Sequence, residues 1–143
     1  MPGYSGTPLP KKLGIKPGFQ VQLTNVPPEV CVELSDALAD CHIGSREASL
    51  DFAMLFTQSR LELAREFSRM TKQFAPAGMF WVSWPKKSSA VVTDVDENAV
   101  RKIGLAAGLV DVKVCAVTDV WSGLKFVRRL QDRKKFRNKG RKK

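Results

Sequence analysis

The chain has 143 residues, 43% of them hydrophobic and 27% charged, which are ordinary values for a globular protein of one domain. No apolar run approaches the roughly 20 residues of a membrane-spanning helix, and the first residues lack the basic and apolar segments of a secretory signal. The three cysteines (Cys31, Cys41 and Cys115) follow no disulfide spacing. We therefore expect a reduced, cytoplasmic protein.

The formal net charge of +10 is concentrated at the C terminus. Residues 131–143 contain eight basic side chains and one acidic one, which amounts to +7 and leaves +3 for the rest of the chain. Such segments are disordered when alone and are typical of RNA-phosphate binding, with an aromatic ring available for stacking. An anionic membrane and a merely solubilising tail remain alternatives. The predicted nucleic-acid-binding residues are Arg133, Lys134, Lys135, Phe136, Arg137, Lys139, Arg141, Lys142 and Lys143.

The N-terminal half alternates helix and strand patterns. Thr7 is suited to cap a short helix that Gly14 closes, and a pair of prolines begins the next helix. The predicted elements are a helix at residues 7–14, a strand at 19–24, a helix from 27 to about 39 and a strand at 50–56. Residues 40–49 show no clear period, and their structure stays open.

The C-terminal half continues the alternation and ends in a hairpin. An amphipathic helix of about four turns is predicted from the spacing of Leu63, Phe67, Met70 and Phe74. Residues 76–78 end it, and a buried strand follows at 79–84. Asp94 and Glu97 have the spacing of a capping box, which predicts another helix that ends at Gly108. Alternating valines at 110–116 predict a strand with one solvated face, and residues 124–130 return as its partner.

This order of elements predicts one α/β domain at residues 1–130, followed by the basic tail at 131–143. Helices between successive strands indicate a mostly parallel sheet, and the terminal hairpin adds an antiparallel edge.

A candidate anion or ligand site follows the buried strand at residues 79–84. The strand breaks at Pro85 and delivers ammonium groups and hydroxyls to its carboxyl end, where open α/β sheets bind ligands. A solvated surface loop is the alternative. The predicted site residues are Trp84, Lys86, Lys87, Ser88 and Ser89. Trp81 and Trp84 should point to opposite faces of the sheet, with Trp81 in the core and Trp121 exposed in a turn.

No catalytic constellation is found. Cys31, Cys41 and His42 lack zinc-ligand spacing, and no carboxylate is placed to orient a Cys–His pair. Helix capping accounts for two of the acidic residues at 94–97. The sequence therefore predicts no metal, no cofactor and no catalytic residue, and it favours a protein that is not an enzyme.

Two segments resemble the class I methyltransferase fold. LGIKPG (13–18) is similar to the entry to its first strand, and FAPAGMFWVS (74–83) is similar to a later helix–turn–strand step. The terminal hairpin resembles its last two strands. The resemblance implies a reduced, methyltransferase-like Rossmann fold. However, TNVPPE (24–29) stands where that fold has a glycine-rich turn, so glycines are missing and two prolines remove N–H donors.

A second resemblance covers residues 3 to about 129. The chain is similar to a bacterial family known as domain of unknown function 3052, through GYSGTPL (3–9), WVSWPKK (81–87), GLVDVKVCAV (108–117) and WSGLK (121–125). This resemblance implies a fold but no activity and no site residues.

Three hypotheses of function follow. The first is a non-enzymatic binding module that engages RNA or a ribonucleoprotein through its basic tail. The second is nucleotide or phosphorylated small-molecule binding at the Lys86–Lys87 loop of a degenerate methyltransferase-like domain. The third is a homodimer formed through Trp121 and the edge of the terminal hairpin.

Overall fold

The computed structural model describes residues 7–44 and 49–133 as one six-stranded sheet with helices on both faces. In chain order the elements are α1 (Leu9–Leu13), β1 (Gln20–Thr24), α2 (Pro28–Leu38), β2 (His42–Ile43), β3 (Leu50–Phe56), α3 (Arg60–Met70), β4 (Phe74–Pro85), α4 (Glu97–Ala106), β5 (Leu109–Ala116) and β6 (Trp121–Arg128).

The strands lie in the order β2-β1-β3-β4-β6-β5. The first four strands in this order are parallel, and β6 is antiparallel to both of its neighbours, β4 and β5. The Rossmann-like α/β fold with a C-terminal antiparallel hairpin, predicted from the sequence, is therefore confirmed. Among the described residues, no helix combines the length and apolar character needed to cross a membrane.

Each face of the sheet carries its own apolar core. Helices α3 and α4 cover one face, where Phe67 packs against the rings of Phe80 and Phe126 at centroid distances of 5.1 and 5.9 Å. Helices α1 and α2 cover the other face. Trp84 belongs to the first core and Trp81 to the second, as the alternation of side chains along a strand predicts.

The helix predicted through Phe74 ends at Met70 instead. Phe74 begins β4 and lies opposite Leu50, while Met79 lies opposite Phe52, so β4 holds several extra residues at this irregularity. A Cβ at Gly78 would lie 2.5 Å from the carbonyl oxygen of Leu50, which explains why glycine stands at this close approach. The proline–glycine pair therefore belongs to a strand bulge and not to a helix end.

Two predicted helix caps are also corrected. Helix α1 is preceded by Pro8 and not capped by Thr7, although Gly14 does close it, at a φ of 90°. Asp96, not Asp94, caps α4, and its carboxylate accepts a hydrogen bond from the N–H of Ala99 at 2.9 Å. Asp94 instead accepts from the N–H of Arg60 and so ties this loop to the start of α3.

The terminal hairpin corrects two further predictions. Trp121 is only 6% exposed, because its ring packs edge-on against Phe56 at a centroid distance of 5.3 Å. The valines of β5 are exposed, whereas they were expected to form its inner face, because β5 is the edge strand and its register shifts between Asp111 and Lys113. Trp121 therefore offers no exposed surface to a partner, and a homodimer through the edge of the hairpin stays a prediction.

Residues 134–143 lie outside the described part of the chain, and so does most of the predicted nucleic-acid-binding segment. Arg133 is described, and its Nε donates to the carbonyl oxygen of Arg128 at 3.1 Å. The end of β6 lies at the same edge of the sheet as the amino ends of the parallel strands, because β6 runs antiparallel to β4. The described part of the chain therefore ends at the edge opposite the Lys86–Lys87 loop.

Candidate ligand site at the carboxyl ends of the strands

A cavity of about 390 Å³ lies where β4 ends, α4 begins and β6 begins. Trp84, Lys86 and Lys87 line one part of it, so three of the five predicted site residues come together here. The loop is fixed by a 2.7 Å hydrogen bond from the N–H of Lys86 to the carbonyl oxygen of Val120. A volume of this order is in the range of small-molecule sites.

The two predicted serines do not line the cavity. The hydroxyl of Ser89 donates to the carbonyl oxygen of Lys86 at 2.8 Å and accepts from the N–H of Val91, so it shapes the turn. Ser88 is exposed on the same turn. Of the two serines predicted to bind an anion, Ser89 therefore stabilises the turn with its hydroxyl, and Ser88 is exposed to solvent.

A second wall of the cavity, on α4 and β6, is acidic and polar, and the sequence analysis did not assign it to the site. It is formed by Asp96, Glu97 and Asn98 at the start of α4 and by Ser122 of β6. Asp96 is held by its capping hydrogen bond, and Glu97 accepts from Arg101 at 2.8 Å. The capping pattern indicated that a helix starts here, but no local signal indicated that its first turn lines the same cavity as Lys86 and Lys87.

The lining thus presents two ammonium groups and two carboxylates. Ammonium groups bind phosphate oxygens, whereas ionised carboxylates only accept hydrogen bonds, for example from ligand hydroxyls. An inorganic phosphate ion in this cavity would lie near carboxylates as well as ammonium groups. A ligand that carries a phosphate at one end and hydroxyl donors at the other matches both walls.

A second crevice lies between the carboxyl ends of β1 and β3, whose following helices cover opposite faces of the sheet. This is the switch point at which doubly wound folds bind a nucleotide cofactor. Asn25 follows β1 at a φ of 60°, and its Nδ2 donates to Oε2 of Glu62 at 3.3 Å. Thr57, directly after β3, donates to Oε1 of the same carboxylate at 2.8 Å.

This crevice does not fit adenosylmethionine, the methyl donor bound in the fold's relatives. Pro27 and Pro28 occupy the N-cap and first position of α2, so two backbone N–H donors are missing where the helix meets the crevice. The hydrogen bond from Asn25 to Glu62 also joins the two sides of the crevice. No step of methyl transfer follows from these residues.

Another cavity, of about 530 Å³, lies at the opposite edge of the sheet beside Thr71, Lys72, Gly108 and Arg128. Arg128 is buried there, donates to the carbonyl oxygens of Thr71 and Phe74 at 2.6 and 2.8 Å, and stacks on the ring of Phe74. Burial lowers the pKa of Arg128 to about 10. These contacts join the end of α3 to the start of β4, so Arg128 holds the fold together at this edge.

Comparison with solved structures identifies the fold. The chain is similar to a SAM-dependent methyltransferase from Aquifex aeolicus (TM-score 0.54, 15% identity, 81% of this chain and 85% of that one). It is also similar to the SAM-bound magnesium protoporphyrin IX methyltransferase of Synechocystis PCC 6803 (TM-score 0.56, 10% identity, 85% and 74%). A ribosomal protein L11 methylase from Lactobacillus delbrueckii subsp. bulgaricus matches with a TM-score of 0.51 at 10% identity, over 85% and 75% of the chains.

At these identities the likeness concerns the fold alone. No family model and no curated protein matches the chain. The resemblance to the domain of unknown function 3052 family therefore has no support from a family model. The chain adopts a methyltransferase-like Rossmann fold in which Pro27 and Pro28 begin α2, and a hydrogen bond links Asn25 to Glu62, where the relatives of this fold have a glycine-rich turn.

Proposed function

We propose that this methyltransferase-like domain binds a nucleotide or a related phosphorylated small molecule in the cavity beside Lys86 and Lys87. One observation carries the proposal: a 390 Å³ cavity at the carboxyl end of β4 pairs these two lysines with Asp96 and Glu97. The lysines would hold the phosphate, and the carboxylates would accept hydrogen bonds from the sugar hydroxyls. Trp84 would contribute part of the apolar wall.

The test is titration calorimetry with three probes: adenosine monophosphate, adenosine and inorganic phosphate. We expect the monophosphate to bind at least tenfold more tightly than either fragment, since only the monophosphate engages both walls. Adenosylmethionine should not compete, because the crevice between β1 and β3 is a different place and has two prolines where a cofactor would need backbone N–H donors.

Two double variants, each of which removes two positive charges, distinguish binding at this cavity from an effect of net charge. Lys86→Ala/Lys87→Ala should weaken binding of the monophosphate by tenfold or more, whereas Lys16→Ala/Lys102→Ala, at exposed positions elsewhere, should leave it unchanged. Equal weakening by both pairs would mean that only net charge matters, and absence of monophosphate binding would refute the proposal.

A second candidate function is suggested by the eight basic residues within 131–143. In it, the tail engages RNA or a ribonucleoprotein and the domain acts as a folded anchor. Affinity for single-stranded RNA should then fall with salt at a logarithmic slope of up to about 6, from roughly 0.7 for each phosphate contact. A chain that ends at Leu130 should lose this dependence, and an unchanged slope would refute the role of the tail. Membership of the domain of unknown function 3052 family stays a prediction of the sequence.

A further inference from the structure

The oppositely charged side chains of the cavity at the end of β4 do not pair with one another. Lys86, Lys87, Asp96 and Glu97 all line this cavity. In the part of the chain that the structure describes, however, no ion pair includes either lysine. Charges of opposite sign that share a cavity without meeting leave room for a polar ligand that contacts both.

Asp96 is held in place and keeps one acceptor oxygen. Its Oδ1 accepts the capping hydrogen bond from the N–H of Ala99 at 2.9 Å. Its Oδ2 accepts no hydrogen bond from any other described residue. Because the cap fixes the carboxylate at the start of α4, a ligand that donates to Oδ2 has little side-chain ordering to impose.

Glu97 is held in a similar way, from its own helix and from β5. Its Oε2 accepts from Nη1 of Arg101 at 2.8 Å, and Nε of Arg101 donates to Oδ2 of Asp111 at 2.7 Å. Arg101 therefore anchors Glu97 to the sheet. Within the described ranges, Oε1 of Glu97 receives no hydrogen bond.

Two acceptor oxygens on consecutive residues suit two neighbouring hydroxyl groups. An ionised carboxylate only accepts hydrogen bonds, so its ligand must supply donors. A ribose offers hydroxyls at 2′ and 3′, whereas a deoxyribose lacks one of them. A 5′-phosphate on the same sugar would bind the ammonium groups of Lys86 and Lys87, while a phosphate at 2′ or 3′ would be repelled by the carboxylates.

We propose that Asp96 and Glu97 select a ribonucleoside 5′-phosphate through its 2′ and 3′ hydroxyls, and that Arg101 positions Glu97 for this contact. The inference rests on the proposed function and narrows its ligand to one class. A site built to bind a hydroxyl rejects an analogue that lacks it, because the acceptor then loses its donor. The side chain of Glu97 is 47% exposed, so water can replace part of the lost contact and the discrimination should be about tenfold for each hydroxyl.

Titration calorimetry on the parent chain compares adenosine 5′-monophosphate with its 2′-deoxy and 3′-deoxy analogues. We expect each analogue to bind about tenfold more weakly, since each lacks one of the two donors. Equal affinities of the three nucleotides would refute the inference while the proposed function stands. If none of the three binds, the proposed function itself is wrong and the inference fails with it.

Two variants assign the discrimination to the two carboxylates. Asp96→Ser keeps a capping oxygen but has no second one, and Glu97→Ala removes the other acceptor. Each variant should lose its discrimination against one analogue, and the two variants should lose it against different analogues. The ratio of affinities is the readout, because removing a carboxylate also reduces repulsion of the phosphate.

Glu29→Ala is the matched control. It removes an exposed carboxylate from the first turn of α2, on the other face of the sheet, and should leave both ratios unchanged. Discrimination that survives in both the Asp96 and the Glu97 variant would overturn the inference, since the hydroxyls would then be recognised elsewhere.

Arg101→Gln tests the positioning role. It leaves both carboxylates in place but removes the charge that holds Glu97. The ratio for the analogue that Glu97 discriminates should fall from about tenfold to about threefold, while the other ratio stays unchanged. Equal weakening of all three nucleotides, with both ratios unchanged, would mean that Arg101 only supports the fold.

Thermal melting shows whether each variant is folded. Should Asp96→Ser fail to fold, Asp96→Asn takes its place, because asparagine caps a helix as well as aspartate does and has a single acceptor oxygen. The comparison of the three nucleotides on the parent chain requires no variant, so equal affinities refute the inference in every case.

Discussion

Replacing Gly104 by alanine should change the free energy of unfolding in two opposite directions, because it improves helix propensity but crowds the core. Gly104 lies in α4, where alanine is favoured over glycine by about 1 kcal/mol. A Cβ at this position would lie 2.8 Å from Cδ1 of Phe126, and closer still to two other ring atoms. Carbon atoms pack well at about 3.5–4.0 Å, so the ring would have to move by about 1.5 Å.

The ring of Phe126 has little room to move. Phe126 is fully buried and packs against Phe67, and overpacking of such a core costs about 1–3 kcal/mol or more. Because the added Cβ overlaps three atoms of the ring, we expect the upper part of this range, about 2–3 kcal/mol. Subtracting the gain of about 1 kcal/mol in helix propensity, Gly104→Ala should lower the free energy of unfolding by about 1–2 kcal/mol. For a chain of this size the melting temperature should fall by roughly 4–8 °C.

Urea denaturation measures the loss, and a double-mutant cycle shows its cause. Phe126→Leu alone is destabilising, but in the Gly104→Ala background it should cost less, because the smaller side chain relieves the overlap. Comparing Lys102→Ala with Lys102→Gly, at an exposed position inside the same helix, measures the helix-propensity difference without core packing. A Gly104→Ala protein as stable as the parent chain, or more stable, would refute the packing argument.

Three further predictions concern other parts of the fold. The hydrogen bond that Arg101 donates lowers the pKa of Asp111. The stability that this pair contributes is therefore present at neutral pH and is lost as the pH falls below about 4 towards that lowered pKa. Asp111→Asn should therefore cost about 0.2–1 kcal/mol at pH 7 and nothing near pH 2, as read from urea denaturation at the two pH values. Burial raises the pKa of the Cys115 thiol, whereas Cys31 is exposed. Iodoacetamide should therefore label Cys31 faster than Cys115, as followed by mass spectrometry, and equal labelling rates would contradict this. Gly78→Ala should lower the melting temperature by several degrees, because the new Cβ meets a backbone oxygen that cannot rotate away.

The sequence predicted the elements well where hydrophobic periodicity and local signals agree. The strand at residues 50–56 and the helix that begins at the proline pair both form as expected. Phe74 shows where periodicity misleads, because it continues the helical spacing of α3 yet pairs with Leu50 in the sheet. No local pattern distinguishes a last helical turn from a bulged strand when tertiary pairing decides between them.

Only part of the candidate site could be predicted from the sequence. Lys86 and Lys87 follow an obvious strand, so their position at its carboxyl end could be predicted. Asp96 and Glu97 could not be assigned to the same cavity, since they come about ten residues later and only the return of α4 over the sheet brings them near. The prediction that Trp121 is exposed was wrong for a similar reason, because its local sequence resembles an exposed turn while the sheet places its ring against Phe56.

The position of β6 has a consequence for the biosynthesis of this protein. Although β6 follows the other five described strands along the chain, it lies in the interior of the sheet, between β4 and β5, which are not neighbours in the strand order. A nascent chain that has not yet reached Leu124 therefore carries two unpaired strand edges, one of them rich in exposed valines. Truncations within β6 should give aggregating products, whereas loss of the residues beyond Leu130 leaves every strand of the sheet paired.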